Sequence, residues 1–216
     1  MLYIEERKEI VEMGKKMLSS ALTIGTWGNI SLLLKNKELY GITPSGMDYS
    51  QLTPEDIVIM DFEGKVIDGK KKPSIECPLH CAIYQEREDI NAVVHTHSIY
   101  ASAVAAARKP IPAAVEDLAQ IVGGCVRVAE YCLPGTDKLG KAVVKALKDR
   151  YGVLLANHGV VGIGRTLQEA MTVCEIIEKG ARITLAAQGV GGVVELEQKD
   201  IEFMRDFYLN SYGQDD

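Results

Sequence analysis

Three of the four histidines sit in two short segments, Val93-Val94-His95-Thr96-His97 and Leu154-Leu155-Ala156-Asn157-His158-Gly159. In an extended strand, residues i and i+2 share a face, so His95 and His97 present two imidazoles to one point. The second segment runs an apolar strand into a His-Gly turn. Glycine there permits a close backbone approach or a positive φ beside His158. Three imidazoles with a fourth position open describe a catalytic zinc site, whereas structural zinc is usually closed by four protein ligands. For an isolated His-x-His, surface hydrogen bonding is the plainer reading. A chain that spends three of four histidines at the ends of apolar strands favours the metal. The fourth, His80, falls on a helical stretch after Glu76 and reads as a packing or supporting histidine.

Glu76 lies in Lys72-Pro73-Ser74-Ile75-Glu76-Cys77-Pro78, where flanking prolines restrict the chain. It reads either as a general base beside the metal or as an acid that opens a helix, where the dipole favours negative charge. Two further segments, Gly25-Thr26-Trp27-Gly28-Asn29-Ile30-Ser31 and Thr43-Pro44-Ser45-Gly46, are rich in glycine and small polar side chains. Such loops can cradle a phosphate with hydroxyls, amides and backbone N–H groups, and the same composition also makes ordinary turns.

The elements that position these residues follow from periodicity. Ile10, Met13, Met17, Leu18 and Ala21 form one helical stripe, in a helix ending before Gly25. Short strands are expected at 29–34, 39–43, 57–61 and 66–67, the last two joined across Glu63-Gly64. Strands in such quick succession imply antiparallel pairing. A helix is expected over 77–86, a strand over 91–95 and an alanine-rich helix over 99–107, stopped before Pro110. A weak strand at 126–129, a helix at 139–147 entered through Gly135-Thr136, and a buried strand at 153–156 follow. Thr166-Leu167-Gln168-Glu169 has the form of a capping box and opens a helix running toward Gln188. Ile201, Met204 and Tyr208 keep helical spacing. This mixture favours an α/β fold, with a mainly antiparallel sheet covered by helices, over a doubly wound parallel one.

The 216 residues, read as a single domain with a C-terminal helical segment from about 197, suffice for a core without disulfides. The five cysteines are odd in number and contain no Cys-x-x-Cys pair, so free thiols in a reducing compartment are expected. The charged N-terminus is no signal peptide and no apolar run reaches membrane-spanning length, so a cytoplasmic protein without membrane contact is expected. With 24 Lys+Arg against 30 Asp+Glu, the net charge of −6 argues against nucleic acid as a partner.

The segments GTWGNIS, ITPSGMDY, KPSIE, AVVHTHS and LLANHG resemble those of the class II aldolase/adducin family, in the family's order and approximate spacing. The resemblance runs from the first helix to about Gln188. It implies a three-layer α/β/α sandwich with a central, mainly antiparallel sheet. It implies one Zn2+ per subunit, or another divalent ion, on His95, His97 and His158. Glu76 would be the acid/base and a ligand in the resting state. Thr26, Asn29, Ser45, Gly46 and Ser74 match positions that hold a substrate phosphate. A homotetramer with active sites at subunit interfaces is implied as well.

Two departures stand out. The family's aldolases usually have two serines before the glutamate, where this chain has Ser74 and then Ile75. They also usually carry a tyrosine where this chain reads Ile111-Pro112-Ala113-Ala114-Val115-Glu116-Asp117. Glu116 or Asp117 either transfers a proton, as acids of this region do in related epimerases and dehydratases, or lies on a solvated helix start.

The activity implied is reversible cleavage of an L-fuculose-1-phosphate-like ketose phosphate to dihydroxyacetone phosphate and a small aldehyde such as lactaldehyde. Glu116, Asp117, Tyr208 or Tyr212 would serve as second acid. The alternatives are a sugar-phosphate 4-epimerase, a dehydratase or a sugar-acid decarboxylase on the same fold. A non-catalytic adducin-like scaffold is more remote.

Overall fold

The computed structural model describes residues 1–35 and 38–213. Eight strands form one sheet: β1 (Asn29–Leu33), β2 (Leu39–Ile42), β3 (Val58–Asp61), β4 (Val66–Asp68), β5 (Ala92–Thr96), β6 (Arg127–Ala129), β7 (Gly152–Leu155) and β8 (Gly159–Gly164). Their order is β4-β3-β2-β1-β5-β8-β7-β6. Each neighbouring pair is antiparallel except β6 with β7. The four strands β1 to β4 are a meander, and β5 returns beside β1 after a helix. This places the two halves of the sheet edge to edge along β1 and β5.

Alternation along the strands divides the core in two, because successive side chains leave opposite faces. Ile30, Leu32, Ala92, Val94, Leu154 and Val160 join a cluster with residues of α1 (Ile4–Ser19), α3 (Ile99–Ala106), α4 (Glu116–Val122) and α6 (Leu167–Ala187). Tyr40, Ile42, Val93, Val153, Leu155 and Val161 join a second cluster with α2 (Cys77–Glu86) and α5 (Asp137–Leu147). The result is the three-layer α/β/α arrangement, with a mainly antiparallel sheet between helices. A last helix, α7 (Gln198–Asn210), packs on α4 through Ile201 and Met204, against Ala113 and Ala119.

Of the capping box read at Thr166, the Thr166 half forms, its side chain accepting from the Glu169 amide, while the Glu169 carboxylate accepts from Arg165 N at 2.8 Å. Strand β8 went unread in the sequence. Its Gly-Val-Val-Gly-Ile-Gly composition resembles a loop, since glycine weakens strands. The reason for one glycine is α6: a Cβ on Gly162 would lie 2.6 Å from the Ala170 carbonyl oxygen. Among the described residues, no helix is long and apolar enough to cross a membrane.

A candidate metal centre and its carboxylate

The histidines converge as the strand spacing requires. His95 and Thr96 end β5, and His97 follows with its N–H donating to the Leu22 carbonyl at 3.1 Å. His158 sits in a three-residue loop between β7 and β8, where Leu155 pairs with Gly159. Asn157 takes the left-handed conformation that such a loop uses, with φ 56°. The three rings lie 4.7 to 4.8 Å apart between centroids. One nitrogen from each lies within 4.8 Å of the others. Two glycines permit this packing. A Cβ on Gly159 would stand 2.3 Å from the Thr96 carbonyl oxygen, and one on Gly28 would stand 2.5 Å from that of His95.

The electrostatics prepare these rings for a cation. Burial, then repulsion from His158, pushes the His95 pKa down to about 3. Burial and its two neighbours push His97 down to about 3. Burial lowers His158 as well, against the pull of Glu76. All three are therefore neutral at pH 7. His95 Nδ1–H donates to the Val160 carbonyl at 2.9 Å, so its Nε2 carries a lone pair. That lone pair faces His97 Nε2 at 3.0 Å.

Glu76 completes the cluster from the first position before α2. Its side chain is 6 % exposed, with Oε2 3.3 Å from His95 Nε2 and Oε1 3.7 Å from His158 Nε2. Asn29, directly opposite His95 across the β1–β5 ladder, donates its Nδ2 to Oε2 at 2.8 Å. Oε1 is buried and has no hydrogen-bond partner. An orphaned carboxylate oxygen beside three neutral imidazoles is the donor set of a divalent cation. The residues fit the group that the sequence implied.

The three small-residue segments meet at this cluster. Ser74 N donates to the Thr43 carbonyl at 3.1 Å, and Ser45 N to that of Lys72 at 3.0 Å. Thr43 Oγ1 accepts from Ile30 N at 3.1 Å. Tyr49 O–H donates to the Gly28 carbonyl at 2.7 Å. The loops around residues 26, 45 and 74 thus form one stitched rim. Thr26, Ser45 and Gly46 are exposed on it, while Ser74 is buried, with its Oγ accepting from Glu76 N at 3.2 Å.

A family model described as the class II aldolase and adducin N-terminal domain matches residues 8–185. The chain belongs to the class II aldolase family. A 5-deoxy-D-ribulose 1-phosphate aldolase of Bacillus thuringiensis is 43% identical over 214 residues, spanning 99% of this chain and 100% of that protein. An L-fuculose phosphate aldolase of Escherichia coli strain CFT073 is 36% identical over 183 residues, or 85% of this chain and 84% of that one. A solved L-fuculose 1-phosphate aldolase superposes with a TM-score of 0.93 at 38% identity, covering 97% of this chain and 98% of the other. This aldolase is accordingly a carbon–carbon lyase.

Other residues of the aldolase singled out in the sequence lie elsewhere. Glu116 and Asp117 open α4; Glu116 is exposed and Asp117 forms an ion pair with Lys179. Tyr208 and Tyr212 stack on one another at 5.5 Å at the end of α7. Among the described residues, no hydrogen bond or ion pair joins these four to the histidines or Glu76. The reading from sequence passed over Tyr84 and took Ser31 only as part of the glycine-rich segment, whereas the two hydrogen-bond to one another at 2.7 Å. A signal existed: Glu76, His80 and Tyr84 recur at intervals of four and mark one polar line on α2.

Proposed function

We propose that this class II aldolase is zinc-dependent and cleaves a 1-phosphorylated 2-ketose between C3 and C4. The products are dihydroxyacetone phosphate and a small aldehyde, and the reaction is reversible. The observation that carries this reading is the buried, half-anchored Glu76 carboxylate beside three neutral imidazoles. His95, His97 and His158 would hold the zinc, with Glu76 as a further ligand at rest. Zinc supplies Lewis-acid polarisation of the ketose oxygens. Glu76 moves the proton: in synthesis it removes one from C3 of dihydroxyacetone phosphate, and in cleavage it returns one to that carbon. The rim of Thr26, Ser45, Gly46 and Ser74 would receive the phosphate, while Asn29 orients Glu76 from inside. Ile75, 66% exposed where a second serine is usual, removes one hydroxyl from that rim.

The end-to-end relative supports a 5-deoxypentulose 1-phosphate as substrate. Cleavage between C3 and C4 would then release acetaldehyde. The solved fuculose phosphate aldolase supports a second substrate, the 6-deoxyhexulose phosphate, which would release lactaldehyde. Both end in a methyl group. Trp27, 66% exposed and 5.6 Å from the His97 ring, offers apolar surface beside the metal site. The second acid would come from Glu116, Asp117, Tyr208 or Tyr212 of an adjoining copy in a homotetramer, in keeping with the lack, among the described residues, of a hydrogen bond or ion pair from these four to the site within one chain. The five free thiols suit a cytoplasmic enzyme.

The test is product analysis on a panel of both ketose phosphates, with zinc measured in the purified protein. Dihydroxyacetone phosphate with an aldehyde supports cleavage. An epimer or a diketone would move the reaction to epimerisation or dehydration. Protein free of any divalent metal yet fully active would remove the metal from the mechanism.

A further inference from the structure

Beneath Glu76 runs a line of buried polar side chains that no surface or substrate contact explains. His80 is fully buried. Its Nε2 lies 2.5 Å from Asn29 Oδ1 and its Nδ1 lies 2.6 Å from Ser31 Oγ. Ser31 Oγ lies 2.7 Å from Tyr84 O–H, and Asn29 Nδ2 donates to Glu76 at 2.8 Å. Ser31 is also fully buried, and Asn29 is 4% exposed.

The direction of each bond follows from donor and acceptor chemistry. An ionised carboxylate only accepts, so Asn29 must turn its NH2 toward Glu76. Its carbonyl oxygen then faces His80, which must donate from Nε2. A neutral imidazole with a proton on Nε2 has only an acceptor at Nδ1. Ser31 therefore donates to Nδ1 and accepts from Tyr84, whose other acceptor, the Asn91 carbonyl, lies farther away at 3.4 Å. Every hydrogen points toward Glu76. In this buried setting, reversing one member of the chain leaves two acceptors or two donors face to face.

We propose that His80 is a positioning residue, whose Nε2–H locks the Asn29 amide so that Asn29 presents a donor to Glu76. This inference rests on the reading of Glu76 as the proton-transfer group. The lock anchors Oε2 and leaves Oε1, the oxygen without a partner, to face the metal site and the substrate carbon. With the lock broken, the Asn29 amide can rotate and turn its oxygen toward the carboxylate, which displaces the base.

The test has two arms. In zinc-loaded wild-type protein with nitrogen-15 histidine, the long-range proton–nitrogen spectrum reports the His80 tautomer, with the signal assigned by its loss in His80→Gln. A proton on Nε2 and none on Nδ1 is expected, and the opposite tautomer would overturn the proposal whatever the variants do. In the second arm, His80→Leu fills similar space without a donor, while His80→Gln restores a donor near the Nε2 position. His80→Leu is expected to lower kcat about 10–100-fold, with KM and zinc content nearly unchanged, and His80→Gln is expected to recover most of that loss. Wild-type kcat in His80→Leu, or a His80→Gln variant as slow as His80→Leu, would overturn it. If wild-type protein cleaves no ketose phosphate, the functional reading is what fails, and the tautomer alone then decides the lock.

Discussion

The proposed role of Glu76 as a base draws on the different surroundings of its two oxygens. Asn29 holds Oε2 in one place, and Oε1 has no hydrogen-bond partner among the described residues. A carboxylate bonded at both oxygens would be a weaker proton acceptor, since hydrogen bonds to the charged form stabilise it. One left loose would lose the orientation on which proton transfer depends. Glu76→Gln keeps the size and the Asn29 contact but cannot accept a proton. Exchange of the C3 hydrogen of dihydroxyacetone phosphate with heavy water is expected to slow by about 10²–10⁴-fold. Metal content should stay near that of wild type, because three imidazoles remain. Exchange at the wild-type rate would assign the base elsewhere.

At the scale of elements, the site depends on how closely β1, β5 and β8 approach. Gly159 lets β8 pass over Thr96, so His158 reaches His95 near the end of β5 and His97 just beyond it. Gly159→Ala must push the two strands apart, at a cost of about 1–3 kcal/mol for overpacking. A larger relative fall in zinc affinity than in melting temperature is expected, because the displaced strand begins directly after His158, one of the three proposed ligands. Calorimetric titration beside a thermal melt compares the two.

The same elements show what was legible in the sequence. The i, i+2 spacing of His95 and His97 and the apolar run before His158 announced the histidine cluster, because both are local patterns. Strand β8 was hidden, since its glycines answer to tertiary packing that no local pattern shows, Gly159 to Thr96 of β5 and Gly162 and Gly164 to α6. Arg7 was hidden too. It lies among charged residues of α1 yet is 1% exposed, bonding Asp68 at 2.7 Å and the carbonyls of Leu2, Pro54 and Ile57. Arg7→Met keeps the apolar stem but strands the buried Ile57 carbonyl, and should cost about 1–3 kcal/mol in denaturant unfolding. The Asp68 side chain, 35% exposed, regains water and adds little.

For the whole molecule, the buried neutral histidines set how stability and metal binding respond to acid, and they do so in different ways. His80 and His95 have pKa values pushed down to about 3 in the folded protein, against the ordinary 6.5. Between those values the unfolded chain holds more protons than the folded one, so acid favours unfolding. The contribution of these residues to stability is whole above pH 6.5 and falls as pH drops toward 3. Each fully buried histidine contributes a slope of up to about 1.4 kcal/mol per pH unit in that window. Denaturant melts of metal-free protein at pH 8, 7, 6 and 5 should agree at the first two values and decline at the last two. Metal affinity of the folded protein should behave otherwise. Protons weaken metal binding only where they occupy ligand lone pairs, and with His95 and His97 near 3 those lone pairs are already free at pH 5. Calorimetric zinc affinity, measured where the protein is still folded, is expected to fall less between pH 7.5 and pH 5.5 than three histidines of ordinary pKa would give, since burial lowers His158 as well. Histidines with ordinary pKa values would instead lose affinity steeply below 6.5, and a loss of that steepness would show that the three imidazoles are far better solvated than their burial implies.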